Sequence, residues 1–428
     1  MLRHPKLRDN RTPERYRSAL YLTAEGVTAL VVERRGDTAV VWGSAHRTWP
    51  PDEAASELAV AVSVCDEALC AAEDMTAETA GRKIVPDAVL IAVLPHDLYT
   101  ARGSARTRRA DPSRPVDQEE ARRLLSRAWQ VARQKTRPLN RTTPSASETP
   151  DLDVVDVVES LTVDGLQVNG PVGLHGRELA AEIFVTLAPA DELATLRNLA
   201  TALELDEPAF VSWPFALGQS LPQRDALLIA LGAAGHQVVL VHGGRPVDMA
   251  AGPGGERALV STYDEAVRSN TPLGALSNDL AAALRAYQGG ELREPEMKVW
   301  RRAFRSSADH WVQDIVATIE VLESEGPFPA IFLQGWGWAY PEVVAALRDA
   351  LSQKGICQPC PIPRILSARD VPAVLNRADQ TEDVILWALA RSAAFNPSES
   401  TLLRQAIGQL SYRRVGSSIL EASHPSRT

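Results

Sequence analysis

Residues 225–247 read DALLIALGAAGHQVVLVHGGRPV, and the interpretation of this stretch decides the fold. Ala226–Leu231 is an unbroken apolar run, which suits a strand buried on both faces. Gly232 and Gly235 bracket a turn of small residues, with Ala233 and Ala234 between them. Residues 238–241 form a second β-branched run, and Gly243-Gly244 closes it as a hairpin signal. Glycines at such a turn let backbone N–H groups approach a phosphate closely. Nucleotide-binding hairpins that hold a metal also carry acids at the strand ends. This one carries Ala230 and Gln237 there. The shape is that of a phosphate loop, without its carboxylates.

At 428 residues the chain is long enough for several lobes, each with its own core. Hydrophobic content of 45% and charged content of 23% describe a globular protein. The net charge of −9 gives no global footprint for nucleic acid. The four cysteines, Cys65, Cys70, Cys357 and Cys360, are too few for a disulfide scaffold. With no signal peptide recognised, they imply a reducing cytoplasm. No apolar run approaches the roughly 20 residues of a membrane helix, so membrane contact is expected to be peripheral or through a partner.

Outward from the opening hairpin, the N-terminal 16 residues read as a polar tail. Residues 18–43 read as a three-stranded meander, 53–72 as an Ala-rich helix and 86–94 as a buried strand. A basic stretch follows, with Arg102, Arg106, Arg108, Arg109 and Arg114. It reads as a solvated loop, with an anionic lipid or polymer partner as the alternative. Asp117 with Glu120 three residues on is a capping box by position, opening a helix over 118–134. Residues 133–150 are a Pro/Ser/Thr-rich break. Residues 154–168 read as strand, Asp164-Gly165 turn, strand, and 180–187 as another strand. A helix over 191–203 takes Asp191 as its N-cap. Beyond the hairpin, helices are expected at 262–271, 274–287 and 297–323. A strand at 329–333 runs into a glycine turn, then a helix over 341–351. A short strand at 363–366 and a helix over 382–395 follow. The order starting at Ser18 recurs at Asp225, which predicts a duplicated α/β architecture.

Residues 157–189, VVESLTVDGLQVNGPVGLHGRELAAEIFVTLAP, resemble a strand-DG-P.G..G..L-strand run of the FtsA-like bacterial cell-division proteins. The positions that carry it are Asp164, Gly165, Pro171, Gly173, Gly176 and Leu179. Residues 208–217 match the helix before that family's second phosphate loop, and 331–341 resemble its adenosine loop. The resemblance spans about residues 17–395. It implies the fold of the actin/sugar-kinase/DnaK-chaperone superfamily: duplicated actin-like, ribonuclease-H-like α/β domains with a small inserted α+β subdomain. The implied division is a tail over 1–16, the first lobe over 17–94, the insert over 95–188, a return to the first lobe over 189–224, the second lobe over 225–395, and a tail over 396–428.

The departures from the family bear on function. The first phosphate loop aligns with Tyr21, Leu22, Thr23, Ala24 and Glu25, so the metal-side Asp is a Tyr. In the second loop both acids are lost, to Ala230 and Gln237. The adenosine loop keeps Gly335 and Gly337 around a bulky Trp336. The resemblance thus implies a degenerate ATP cleft at Thr23, Ala24, Gly232, Ala233, Ala234, Gly235, Gly335 and Gly337. A Mg²⁺–phosphate cluster needs carboxylates or their equivalents. ATP with Mg²⁺ is the cofactor the family implies, no firm cofactor is expected here, and neither catalytic nor metal-binding residues are assigned. The expected role is a non-hydrolysing adaptor of cell division that binds FtsZ or another division protein and self-associates through actin-like interfaces. The alternative is a PilM-like component of type IV pilus assembly that binds a peptide of a membrane partner. An active ATPase or sugar-kinase-like enzyme is the third reading, and the missing acids argue against it.

The remaining candidates have plainer readings. Asp225 reads as a solvated strand-start acid rather than a displaced ligand. His236 reads as an exposed turn residue, with replacement of a phosphate-contacting hydroxyl as the alternative. Cys357 and Cys360 have redox or zinc spacing but lack a second ligand pair, so they read as two ordinary thiols. Leu402, Leu403, Ile407 and Leu410 with nearby arginines suggest a docking helix or frayed end, and a weak interfacial membrane helix is the alternative. The location expected is cytoplasmic, at the inner membrane face or the division site.

Overall fold

In the computed structural model, the described residues are 15–23, 25–50, 58–93, 98–139, 151–232, 235–258, 261, 294–322, 328–357, 359–378 and 383–395. The expected helices at 262–271 and 274–287, residues 1–14 of the N-terminal tail, the tail over 396–428, most of the 133–150 break, Ala24, Ala233 and Ala234 lie outside them.

The chain opens with β1 (Tyr16–Leu22), β2 (Gly26–Arg35) and β3 (Thr38–Thr48). Helix α1 (Leu58–Thr79) follows, and β4 (Ala88–Val93) returns parallel to β1. Next come β5 (Tyr99–Arg108), α2 (Gln118–Gln134), β6 (Arg137–Pro138), β7 (Leu152–Val163), β8 (Leu166–Val168) and β9 (Glu178–Pro189). Helix α3 (Ala190–Ala202), β10 (Asp206–Ser212) and α4 (Trp213–Gln219) lead to the hairpin. That hairpin is β11 (Ala226–Leu231), β12 (Gly235–His242) and β13 (Arg245–Pro253). After it come α5 (Glu294–Ile319), β14 (Ile331–Gln334), a 3-10 turn (Trp336–Ala339) and α6 (Pro341–Gln353). Strands β15 (Arg364–Ile365) and β16 (Val374–Asn376) and helix α7 (Val384–Phe395) end the described chain.

Two sheets repeat one plan. The first has the order β10-β4-β1-β2-β3-β16, the second β15-β14-β11-β12-β13. In each, three antiparallel strands are joined on one side by a parallel strand that returns after a helix. This is a duplicated actin-like α/β fold. A third sheet, β6-β5-β9-β7-β8, belongs to the inserted α+β subdomain.

The chain forms two compact units. One comprises Met1–Leu94, Ala190–Pro222 and Ser367–Asn396, the other Pro95–Pro189, Gln223–Leu366 and Pro397–Thr428. The stretch 225–395, expected as one second lobe, divides between the two units. Strand β16 pairs with β3, and α7 packs on β1, β2 and β3, so residues from Ser367 onward rejoin the first unit. The second unit's core runs from Leu227 and Ile229 through Trp311, Ile315 and Ile319 to Leu347 and Leu351. Trp311 and Trp338 meet there with their rings tilted at 54° and centroids 5.3 Å apart. The insert has its own core, where Leu124, Leu125 and Trp129 of α2 meet Val157, Ile183 and Val185.

Local chemistry accounts for the turns. Asp164 and Gly165 both have positive φ, as the two-residue turn between β7 and β8 requires. Asp225 Oδ1 accepts the N–H of Gly243 at 2.8 Å and pairs with His242 Nδ1 at 2.8 Å, so it pins the β12–β13 turn. Asp117 caps α2 by accepting from Glu120 N at 2.8 Å. The Glu120 carboxylate, expected to complete a capping box, instead holds buried Arg109 in a two-pronged pair. Asp191 lies in the first turn of α3, whose helix begins at Ala190, and is not its cap. The basic stretch is not a loop: Arg102, Arg106 and Arg108 belong to β5. Cys357 and Cys360 form a disulfide where thiols were expected, and Cys65 and Cys70 are free.

Candidate functional site

In the first unit, the loop after β1 closes on itself. Thr23 N donates to Gly26 O at 2.8 Å. The Thr23 hydroxyl oxygen lies 3.3 Å from the N–H of Glu25 and 3.2 Å from that of Gly26, and accepts from both. Trp49 Nε1 covers the Thr23 carbonyl at 2.8 Å. N–H groups that a phosphate loop offers to its ligand are thereby used internally. Tyr21 stands where the metal-side acid was expected. Burial raises its phenol pKa above the ordinary range, and the charges of Asp383 and Glu25 raise it further. Asp383 is itself pushed up by burial, although it accepts from Ile385 N at the start of α7. A protonated phenol supplies no negative charge for a cation.

In the second unit, Gly232 is engaged at both backbone groups: its N–H donates to Gly235 O at 2.8 Å, and its carbonyl accepts from Glu256 N at 3.0 Å. Ala230 is wholly buried, and the register aligns it with Gln237 on one side and Gln334 on the other. Where the family resemblance puts carboxylates, the sheet carries a methyl group flanked by neutral amides. Amide oxygens can accept hydrogen bonds, but they bring no charge to balance Mg²⁺. Among the described residues, no group of three or more His, Cys, Asp or Glu side chains could hold a metal ion.

The adenosine-type loop meets the same hairpin. Gly335 has φ +120, and a Cβ there would lie 2.6 Å from the Leu231 Cβ and 2.9 Å from Glu256 Oε1. Glu256 Oε1 also accepts from Gly337 N at 3.4 Å. Glu256 therefore links the two glycine loops, through its backbone N–H to Gly232 and its carboxylate to Gly337, and that carboxylate repels phosphate. Sequence reasoning missed Glu256. The available signal was an acid in the first helical turn after the Gly-Pro-Gly-Gly bend at 252–255. The fold thus brings Gly232, Gly235, Gly335 and Gly337 together in one unit, while Thr23 belongs to the other. The side chain of Trp336 lies outside the described residues; Trp338 is a core residue.

His236 is neither an exposed turn residue nor a phosphate contact. It is buried, its Nε2 meets Thr318 Oγ1 of α5 at 2.9 Å, and its ring crowds Gly252. Burial pulls its pKa down to about 4.

No family model matches the chain, and no curated protein matches it in sequence. Solved structures do match in fold. A PilM–PilN type IV pilus biogenesis complex superimposes with a TM-score of 0.52 at 16% identity, over 89% of this chain and 99% of that one. Ethanolamine utilization protein EutJ from Carboxydothermus hydrogenoformans gives 0.42 at 10% identity, over 90% and 92%. A ROK hexokinase from Thermus thermophilus gives 0.41 at 13% identity, over 89% and 98%. The chain is an actin-like fold protein. Likeness at this identity establishes the fold and nothing finer. Among the described residues no helix is long and apolar enough to cross a membrane.

Proposed function

We propose that this chain is a nucleotide-independent actin-fold adaptor that docks a segment of a membrane-associated partner in a pilus-type assembly. One observation carries the loss of nucleotide chemistry: Thr23 and Glu256 use the loop N–H groups internally, with no acid at position 21, 230 or 237. A fold that keeps its glycine turns without their ligand chemistry is retained for shape and surfaces. The pilus reading draws its support from the likeness to PilM held in a complex with PilN. The division reading remains as the second, supported by the 157–189 segment with its Asp164-Gly165 turn, and brings FtsZ and filament-like self-association as partners.

Calorimetric titration with ATP·Mg tests the first half. No binding heat is expected up to about 1 mM ligand, and no phosphate release. Micromolar binding with steady turnover would overturn it. Co-purification with the cytoplasmic segments of membrane proteins encoded beside this chain tests the second half. Co-sedimentation with FtsZ and no capture of those segments would favour the division reading.

A further inference from the structure

We propose that the outer edge of β5 docks an extended acidic peptide as an added strand. This names a surface and a partner chemistry for the adaptor reading above, on which it rests.

Strand β9 covers one side of β5 along its whole length, from Tyr99↔Leu187 to Arg108↔Glu178. On the other side β6 covers only Tyr99 and Thr100. Among the described residues no strand pairs with the outer side beyond them. The ladder fixes which backbone groups are left over. Arg109 N donates to Arg177 O on the β9 side, and Leu139 N donates to Leu98 O on the β6 side. Antiparallel pairing alternates direction residue by residue. Odd-numbered residues of β5 thus bond to β9, and the N–H and C=O groups of Ser104, Arg106 and Arg108 point outward. An edge of this kind is a template for another strand. It is also held firm from beneath: a Cβ on Gly103 would lie 2.1 Å from Ala128 O, so α2 sits directly on the strand.

Charge selects the occupant. Arg106 and Arg108 are exposed, and neither has an ion-pair partner among the described residues. From the other face of the sheet, Arg127 of α2 reaches Thr107 Oγ1 at 3.2 Å, which adds positive charge beside the same edge. The nearest acids in register, Glu178 and Glu182, lie on β9, one strand further in. Pairing with a second copy would set arginines against arginines. An acidic strand gains the main-chain hydrogen bonds without that repulsion, and such bonds carry affinity in strand addition. A lipid surface could use the arginines, but it would leave the free backbone groups unused.

The test uses the full chain and three fluorescein-labelled octapeptides: alternating valine–glutamate, valine–threonine and valine–lysine. Fluorescence anisotropy is expected to give roughly tenfold tighter binding of the glutamate peptide than of the threonine one, weakening as salt rises, and none of the lysine one. Ser104→Pro removes an outward N–H and leaves the β9 ladder intact, a place where an edge strand tolerates proline. It is expected to weaken binding roughly tenfold with an unchanged melting curve. Arg106→Glu with Arg108→Glu is expected to transfer the preference to the lysine peptide, and this variant decides alone if Ser104→Pro fails to fold. Equal binding of all three peptides, or a charge-reversed variant that still prefers glutamate, overturns the proposal. So does flotation with phosphatidylserine vesicles when no peptide binds, since that assigns the arginines to lipid. Each of these failures concerns the β5 edge alone. The ATP titration and the co-purification experiment are read independently of it.

Discussion

At His236 a single buried imidazole ties the fold to pH. The folded pKa, about 4, lies below the ordinary 6.5, because burial disfavours the charged ring. The neutral form is therefore the one the fold accepts. Its contribution is fully present above pH 6.5 and is lost as pH falls from there towards 4, where the unfolded chain takes up a proton that the folded one refuses. The shift corresponds to about 3 kcal/mol. Urea unfolding followed by tryptophan fluorescence is expected to lose most of that amount between pH 7 and 4.5, and His236→Gln is expected to flatten this acid slope. A wild-type slope kept in the variant would show that other groups carry it. The position was partly legible in sequence. His236 and Val238 share one face of β12, and Val238 opens the apolar run that packs in the core. Read with period two, His236 belongs with it. What the sequence could not supply was Thr318, which reaches the ring from α5 across 82 residues.

Elements succeed or fail as sequence readings according to how their side chains are covered. Helix α2 was readable because its cap and apolar stripe are local, and its bounds are those expected. Strand β5 was not, since arginines alternate with Ala101, Gly103 and Ala105, small residues that look like a loop until α2 is laid on them. The junction between the insert and β13 was equally hidden. Arg137 Nη2 meets Asp248 Oδ1 at 2.6 Å, and Ala251 N donates to Leu139 O at 2.9 Å. The signal was Asp248 itself, an acid inside the otherwise apolar run VDMAAG, which a strand tolerates only with a partner. Asp248 is nearly inaccessible, so deleting Arg137 leaves a carboxylate buried beside a broken pair. Arg137→Ala is expected to destabilise the second unit by roughly 3 kcal/mol, and Arg137→Met with Asp248→Met by much less. Denaturant midpoints of the two variants check this; equal losses would mean that the pair's charge is not what matters.

For the whole molecule, duplication was visible because the strand order repeats even where the loop sequences of the two halves differ. The same meander followed by a parallel return appears from Tyr16 and again from Ala226. The last crossing was not visible. Strand β16 has only three residues, and α7, VILWALARSAAF, is apolar nearly all round, so its sequence suits burial in either unit. The structure resolves the choice through contacts: β16 pairs with β3 at Val374↔Ala39, and α7 lies on the first sheet and on α4. The two ends of the described chain therefore stabilise the same unit. Leu389 on α7 is buried at 1% exposure, and Leu389→Ala is expected to cost about 2–5 kcal/mol. Hydrogen exchange read by mass spectrometry separates the units directly. Amides of β1–β4 are expected to exchange faster in the variant, while those of β11–β14 keep their wild-type rates. If the hairpin at 226–253 loosened and the first sheet did not, α7 would belong to the second unit after all, and the duplicated plan would end at Phe395 rather than at Leu366.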